Sequence, residues 1–258
     1  MISDHTERRL PICQPAGNIE MSELHIQRLP AQAPSLTGQV YDAICRMLLD
    51  STLKPDSRTS IRELADELGV STMPVREAVG RLVAQGALSV RKNRAVEVPR
   101  MTEDEFRELT RTRLLLECEA ARLAVERMVP DEVAGIRALH AQFRDEMGSG
   151  NRSAALMTNR LLHFALYDAA RSPTMRQMIG MAWLRAGPLI SLDIGARTGG
   201  SRAEHSIVAH GQLVAALESR DAEAAAEAIR SDIAVAAATI LDQRAYFHRK
   251  ETRDGSGA

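Results

Sequence analysis

Cysteine is scarce in this sequence, and Cys13, Cys45 and Cys118 lie far apart with no Cys-x-x-Cys pair. That spacing excludes a zinc ribbon and a disulfide framework and fits a reducing cytoplasm. No apolar run approaches the roughly 20 residues a membrane helix needs, and the N-terminus lacks the basic-then-apolar layout of a signal peptide. A cytoplasmic protein with no membrane partner is the expectation. Also missing are a Gly-x-Ser-x-Gly elbow, a Walker loop, a dinucleotide fingerprint and any Glu-x-x-His, so the usual hydrolase, nucleotide-binding and di-iron signatures are absent. Neither sign of charge dominates, with 33 basic against 34 acidic residues, so no overall basic footprint announces a nucleic-acid partner. By segment, residues 36–100 hold 10 Lys/Arg against 8 Asp/Glu, and residues 101–258 hold 20 against 22. The small positive excess therefore lies in the earlier part. Aromatic residues make up 3% of the chain, and beyond Met101 no run reads as a strand.

What is present is enough for two folded parts, since 45% of the 258 residues are apolar. Residues 1–34 mix charges with several prolines and show no sustained period, so they are expected to be a flexible arm, as is the tail 249–258. Residues 35–100 read as a winged helix-turn-helix of three helices plus a β-hairpin. The first helix carries Val40, Ile44 and Met47/Leu48 and should end before Lys54-Pro55-Asp56. The second has Ser60 as N-cap, Glu63 as capping-box partner and Gly69 as C-cap. The third carries the stripe Val75, Val79, Leu82 and closes at Gln85-Gly86. Ala87–Val90 and Ala95–Val98 then flank the polar tip Arg91-Lys92-Asn93-Arg94 as a hairpin wing. Residues 101–248 read as an all-α bundle of six or seven helices, with starts at Thr102, Pro130-Asp131, Ser172-Pro173 and Asp221, and with a loop over Gly195–Ser201. The expected fold is mainly α.

A helix-turn-helix lays its second helix in the major groove, with N-terminal side chains at base edges and phosphates. Here those are Ser71, Thr72, Met73 and Arg76. Arg76 can fork onto guanine or a phosphate, Arg62 can reach the backbone, and Arg91, Lys92, Asn93 and Arg94 form the wing tip. The competing reading makes Arg62 and Arg76 plain solvated charges paired with Glu63, Asp66 or Glu77.

In the bundle, polar residues interrupt inward-facing stripes. Arg113 sits among Phe106, Leu109, Leu116, Ala120 and Leu123. A buried guanidinium needs a carboxylate, supplied either by Glu117 one turn on or by an acidic ligand. Asn159 and His163 are stacked on one face, His210 lies among Ile207, Val214 and Leu217, and Asp232 lies beside Ile229 and Ile233. Arg185 is a possible second anchor for an acid, Trp183 reads as core, and His205 should point away from His210 toward the surface or an interface. Convergent polar groups of this kind mark an effector site formed by Arg113, Glu117, Asn159, His163, Arg185, His210 and Asp232.

The run Val70-Ser71-x-x-Pro74-Val75-Arg76-Glu77-Ala78, with Glu63-Leu64-Ala65-x-x-Leu68-Gly69 before it, resembles the DNA-binding domain of the GntR family of bacterial regulators. The later part is similar to the FadR subfamily through Arg113-x-x-x-Glu117, Asn159-x-x-x-His163-Phe164-x-Leu166-Tyr167 and His210-x-x-Leu213. Two departures stand out. Thr72 occupies a position where the family usually has Arg, and the usual wing glycine is missing from Asn93-Arg94-Ala95. The resemblance implies a homodimer that binds double-stranded operator DNA and answers to a small carboxylic acid, more often as a repressor released by that ligand. Members of the subfamily also hold a divalent metal with an Asp and three His. Here Asn159 and Asp232 replace two of them, so Asn159, His163, His210 and Asp232 are expected either to bind Zn²⁺ or a similar ion, or to hydrogen-bond the effector without one. No catalytic residue is expected; the alternative is a metal-dependent helical-bundle enzyme with an accessory DNA-binding-like domain.

Overall fold

A computed structural model of the chain describes residues 35–50, 52–91, 95–195 and 200–248. The expected arm 1–34, the tail 249–258 and the wing-tip residues Lys92, Asn93 and Arg94 lie outside the described residues. Helix α1 (Leu36–Leu49) starts at Ser35, whose hydroxyl accepts from the Gly38 amide, and it buries Val40, Ile44 and Leu48 at a spacing of four. Helix α2 (Ile61–Leu68) has the full capping box: the Glu63 amide donates to Ser60 Oγ at 3.1 Å and the Ser60 amide to Glu63 Oε2 at 2.7 Å. It stops at Gly69, whose φ of 66° is open to glycine and strained for other residues. Helix α3 (Thr72–Ala84) buries Val75, Val79 and Leu82, and tolerates Pro74 because the first helical turn has no amide to lose.

The wing is a three-stranded antiparallel sheet, not the expected lone hairpin. Strands β1 (Arg58–Ser60), β2 (Ser89–Val90) and β3 (Ala95–Glu97) are ordered β1-β3-β2, with Thr59 opposite Val96 and Val90 opposite the same residue. The extra edge strand ties the start of α2 to the wing and leaves Val96 fully buried.

The bundle comprises α4 (Glu103–Arg127), α5 (Pro130–Ser149), α6 (Arg152–Ala169), α7 (Pro173–Gly195), α8 (Gly200–Ser219) and α9 (Ala222–Asp242), followed by a 3-10 turn (Arg244–Tyr246). Thr102 and Asp221 cap α4 and α9 through their side chains, so those starts fall where the sequence places them. Of the expected loop Gly195–Ser201, Gly195, Gly200 and Ser201 fall in helices, and residues 196–199 lie outside the described ones. The main core forms where α4 packs on α9, α9 on α8 and α5 on α6.

Helix α7 joins the two parts. Leu184, 6% exposed, belongs to the core of the winged head together with Ile44, Leu48 and Leu88. Ser191 Oγ donates to the Leu49 carbonyl at 2.8 Å. Pro188 lies inside α7 and has no amide to give the Leu184 carbonyl, which loses its usual helical donor at this contact. A Cβ at Gly187 would stand 2.5 Å from Leu49 Cδ2 and 3.6 Å from Leu49 Cα, so any side chain there must displace the end of Leu49 at the contact of α1 and α7. Gly187→Val is expected to overpack the contact and cost about 1–3 kcal/mol. Gly187→Ala should be milder, because the helix gains about 1 kcal/mol over glycine. Urea unfolding of both variants checks the order, and a Val variant as stable as the parent would contradict the close approach.

Candidate functional site

Two places carry chemistry: the outer face of α3 and the interior of the bundle. On α3, Ser71, Thr72, Met73 and Arg76 are all exposed, Met73 to 63%. Ser71 is the N-cap but makes no side-chain capping bond. Its hydroxyl and the first-turn amides thus face outward at the positive end of the helix, where a phosphate is favoured. Arg62 is exposed on α2. Neither Arg62 nor Arg76 forms an ion pair or hydrogen bond among the described residues. Of their candidate carboxylates, Glu63 is engaged by its cap and Glu77 by Thr37 Oγ1 at 2.9 Å, and Asp66 forms no ion pair with either arginine. Both guanidiniums are therefore exposed and unpaired among the described residues. Arg91 is held differently, with Nε 2.7 Å from Glu97 Oε2. That hydrogen bond keeps the Glu97 carboxyl below its ordinary range.

Inside the bundle a continuous polar chain crosses five helices, α4, α6, α7, α8 and α9. It begins on α4, where Arg113 Nε and Nη2 donate to Glu117 Oε1 and Oε2 at 2.7 and 3.3 Å, with exposures of 5% and 0%. The intrahelical pair is thus the one the fold adopts. Burial opposes the guanidinium charge, but the Glu117 carboxylate outweighs it and raises the pKa of Arg113. Glu117 Oε2 also accepts from Trp183 Nε1 at 3.1 Å and from the Tyr167 hydroxyl. Burial first, and the neighbouring carboxylate second, push the Tyr167 pKa well above the ordinary phenol value.

Those donors settle the tautomer of His163. Arg and Trp can only donate, and the carboxylate they surround accepts, so the Tyr167 proton is committed to Glu117. The Tyr167 oxygen must then accept from His163 Nδ1, 2.9 Å away. A neutral His163 consequently turns the lone pair of Nε2 inward. There it meets His210 Nε2 at 3.3 Å and Asp232 Oδ2 at 3.3 Å, and His210 Nε2 is 3.9 Å from the same carboxylate oxygen. Asp232 is oriented by Ser206 Oγ, which donates to Oδ1 at 2.9 Å. All three groups are buried, and their ligand atoms lie within 4.8 Å of one another.

This donor set fits a small cation. A lone pair and a carboxylate oxygen at 3.3 Å repel unless a positive centre lies between them. Bonds of about 2.0–2.2 Å to a four- or six-coordinate ion put neighbouring ligand atoms roughly 3.0–3.5 Å apart; the two separations from His163 Nε2 meet this, and the His210 Nε2–Asp232 Oδ2 separation of 3.9 Å is wider. A carboxylate fixed through its outer oxygen and an imidazole fixed through Nδ1 are the outer supports such sites use. Asn159, 6% exposed, lies one turn before His163 on the same helix.

Arg185 does not join this set. It is exposed and lines a surface hollow with Glu105 and Glu108. It follows Trp183 by two residues on one helix, so the two point to opposite sides. His205 is half-buried against α9, with Nε2 at 3.3 Å from the Ser231 carbonyl; it faces away from His210 as expected, but is packed rather than free. Three members of the chain were not expected from the sequence as site residues. Tyr167 and Ser206 are each four residues from a cluster histidine, a spacing that signals a shared face, while Trp183 carries no such signal.

A winged DNA-reading head locked to a helical bundle with a buried polar site is the layout of a one-component transcription regulator. Comparison with known proteins agrees. Residues 36–98 match the bacterial regulatory proteins of the gntR family, and residues 108–235 match the FCD domain. The chain is 34% identical over 205 residues to the HTH-type transcriptional regulator McbR of Escherichia coli (strain K12), which covers 78% of this chain and 92% of that one. A solved structure of E. coli McbR/YncC superposes with a TM-score of 0.76 at 32% identity, over 81% of this chain and 98% of that one. A probable D-xylose utilization operon transcriptional repressor of Paenarthrobacter nicotinovorans is 24% identical over 200 residues, or 78% of this chain and 86% of that one. The chain belongs to the GntR family of bacterial regulatory proteins, with an FCD domain following the winged head, and is a ligand-responsive, DNA-binding regulator of transcription. The bundle-enzyme alternative finds no support among these relatives. No helix among the described residues is long and apolar enough to cross a membrane.

Proposed function

We propose that the chain acts as a homodimeric repressor that leaves its operator when a small organic acid enters the bundle. The observation that carries this reading is the convergence of His163, His210 and Asp232 in the buried interior. His163, His210 and Asp232, with Asn159 beside them, would hold a divalent ion such as Zn²⁺, which when bound supplies a positive centre for an effector carboxylate. Glu117 and Tyr167 keep His163 oriented, and Ser206 keeps Asp232 oriented. A relative described as a repressor supports the negative sign of regulation.

Helix α7 is the route to the head. Trp183 bonds Glu117 and stands 5.2 Å from the His163 ring, while its neighbour Leu184 is buried in the head core. A ligand that repacks the first displaces the second, shifting operator affinity by its differential affinity for the two arrangements. At the operator, Arg76→Ala is expected to cost about 1–3 kcal/mol on duplexes selected from a random pool, measured by fluorescence anisotropy at matched salt. Equal affinity would remove Arg76 from the groove.

The test of the proposal is elemental analysis of protein purified without chelator, joined to a thermal-shift screen of small carboxylic acids with and without Zn²⁺. About one ion per chain, with acid stabilisation that depends on it, is expected. Stabilisation by an acid in metal-free protein would leave the effector role and remove the ion. Neither an ion nor any stabilising acid would overturn the reading.

A further inference from the structure

A cleft of about 650 Å³ opens between the head and the bundle, and no residue of the imidazole cluster lines it. Helix α1 contributes Tyr41 and Cys45, α6 contributes Arg160, Leu161 and Phe164, and α7 contributes Met181. The volume falls in the range of small-molecule sites. Much of the wall is apolar, and Leu161 is 46% exposed where it faces out.

Most polar groups of the wall are already matched. The Tyr41 hydroxyl donates to Gln85 Oε1 at 2.7 Å. Arg176 Nε is 2.6 Å from Asp168 Oδ1, and its guanidinium lies over the Phe164 ring at 4.1 Å. Arg160 is the cation of the wall that is not matched. It is half-buried and makes no hydrogen bond or ion pair among the described residues. Burial and the like charge of Arg46 both weaken its hold on its proton, against a smaller favourable field from Asp50. Asp42 also lines the cleft, but is exposed and makes no ion pair with Arg160. A guanidinium drawn partly out of water beside an aromatic and aliphatic wall is satisfied by an anion with an apolar body.

We propose that this junction cleft is a second small-molecule site, taking an amphipathic anion whose apolar body rests on Leu161, Phe164 and Met181 and whose carboxylate or sulfonate meets Arg160. Its walls come from both the head and the bundle, so an occupant holds one relative placement of the two. The site is separate from the imidazole cluster and stands whether or not that cluster binds a metal.

The probe is anilinonaphthalene sulfonate, titrated into the full chain and followed by its fluorescence. Saturable binding is expected, weakened about tenfold in Arg160→Gln, the scale of one charge-assisted hydrogen bond. The His163→Ala, His210→Ala double variant should bind the probe as the parent does. A second readout needs no variant. Cys45 lines the cleft, and burial pushes its thiol up to about 11, so alkylation is run at alkaline pH and followed by mass spectrometry of the Cys45 peptide. Bound probe is expected to slow it. Absence of binding, unchanged affinity in Arg160→Gln, loss of binding in the double-histidine variant or undiminished labelling of Cys45 would each overturn the proposal.

Discussion

Glu117→Ala is expected to destabilise the folded chain by about 3–5 kcal/mol, the usual cost of breaking a buried ion pair by removing one partner. The substitution strands the Arg113 guanidinium, 5% exposed, and takes the acceptor from Tyr167 and Trp183 as well. Three donors from three helices lose their partner at once, and none can reach water without opening the core. Removing both charges together should cost less, because an apolar pair of similar volume leaves nothing uncompensated. Arg113→Met with Glu117→Leu is therefore expected to be more stable than Glu117→Ala alone, though Tyr167 and Trp183 still lack an acceptor. Urea unfolding measures both, with an unchanged slope showing that stability and not compactness has moved. A Glu117→Ala midpoint within error of the parent would show that the pair is not buried as described.

The second large effect concerns the cluster itself. His163→Ala combined with His210→Ala removes two of the three converging ligand groups. Affinity for Zn²⁺ should fall by more than the roughly 10–100-fold typical of changes to the groups behind the ligands. Stability should change far less than in Glu117→Ala, since the variant leaves the Arg113–Glu117 pair intact and its cavity is lined in part by polar groups that water can satisfy. Isothermal titration of chelator-treated protein, alongside circular dichroism, separates the two quantities. Zinc uptake by the double variant equal to that of the parent would place the ion elsewhere.

Much of the head was legible because its signals are local. Ser60, Glu63 and Gly69 delimit α2 through contacts spanning three or four residues, and the structure returns each of them. Strand β1 was not legible, because Arg58-Thr59-Ser60 has no apolar alternation and owes its shape to β3, which follows α2 and α3 in the chain. In the bundle, Asn159, His163, His210 and Asp232 stood out as polar groups on apolar stripes. Periodicity gives a face but not a neighbour across helices. It therefore left Arg113 between two partners, and it did not indicate that Trp183 and Tyr167 complete the shell of Glu117. Arg185, read as a second anchor for an acid, is exposed on α7 beside Glu105 and Glu108, away from the cluster, a placement that sequence spacing alone does not give.

The central claim is that an acid bound in the bundle is read at the operator through α7. The measurement that tests it most directly is operator affinity by fluorescence anisotropy, at fixed salt and saturating Zn²⁺, for the parent and the His163→Ala, His210→Ala variant with each acid that stabilises the parent. The account predicts that at least one acid weakens parent binding by about 5–150-fold, the usual span of allosteric coupling, and leaves the variant unmoved. An operator affinity indifferent to every such acid, or a variant that responds as the parent does, would contradict it.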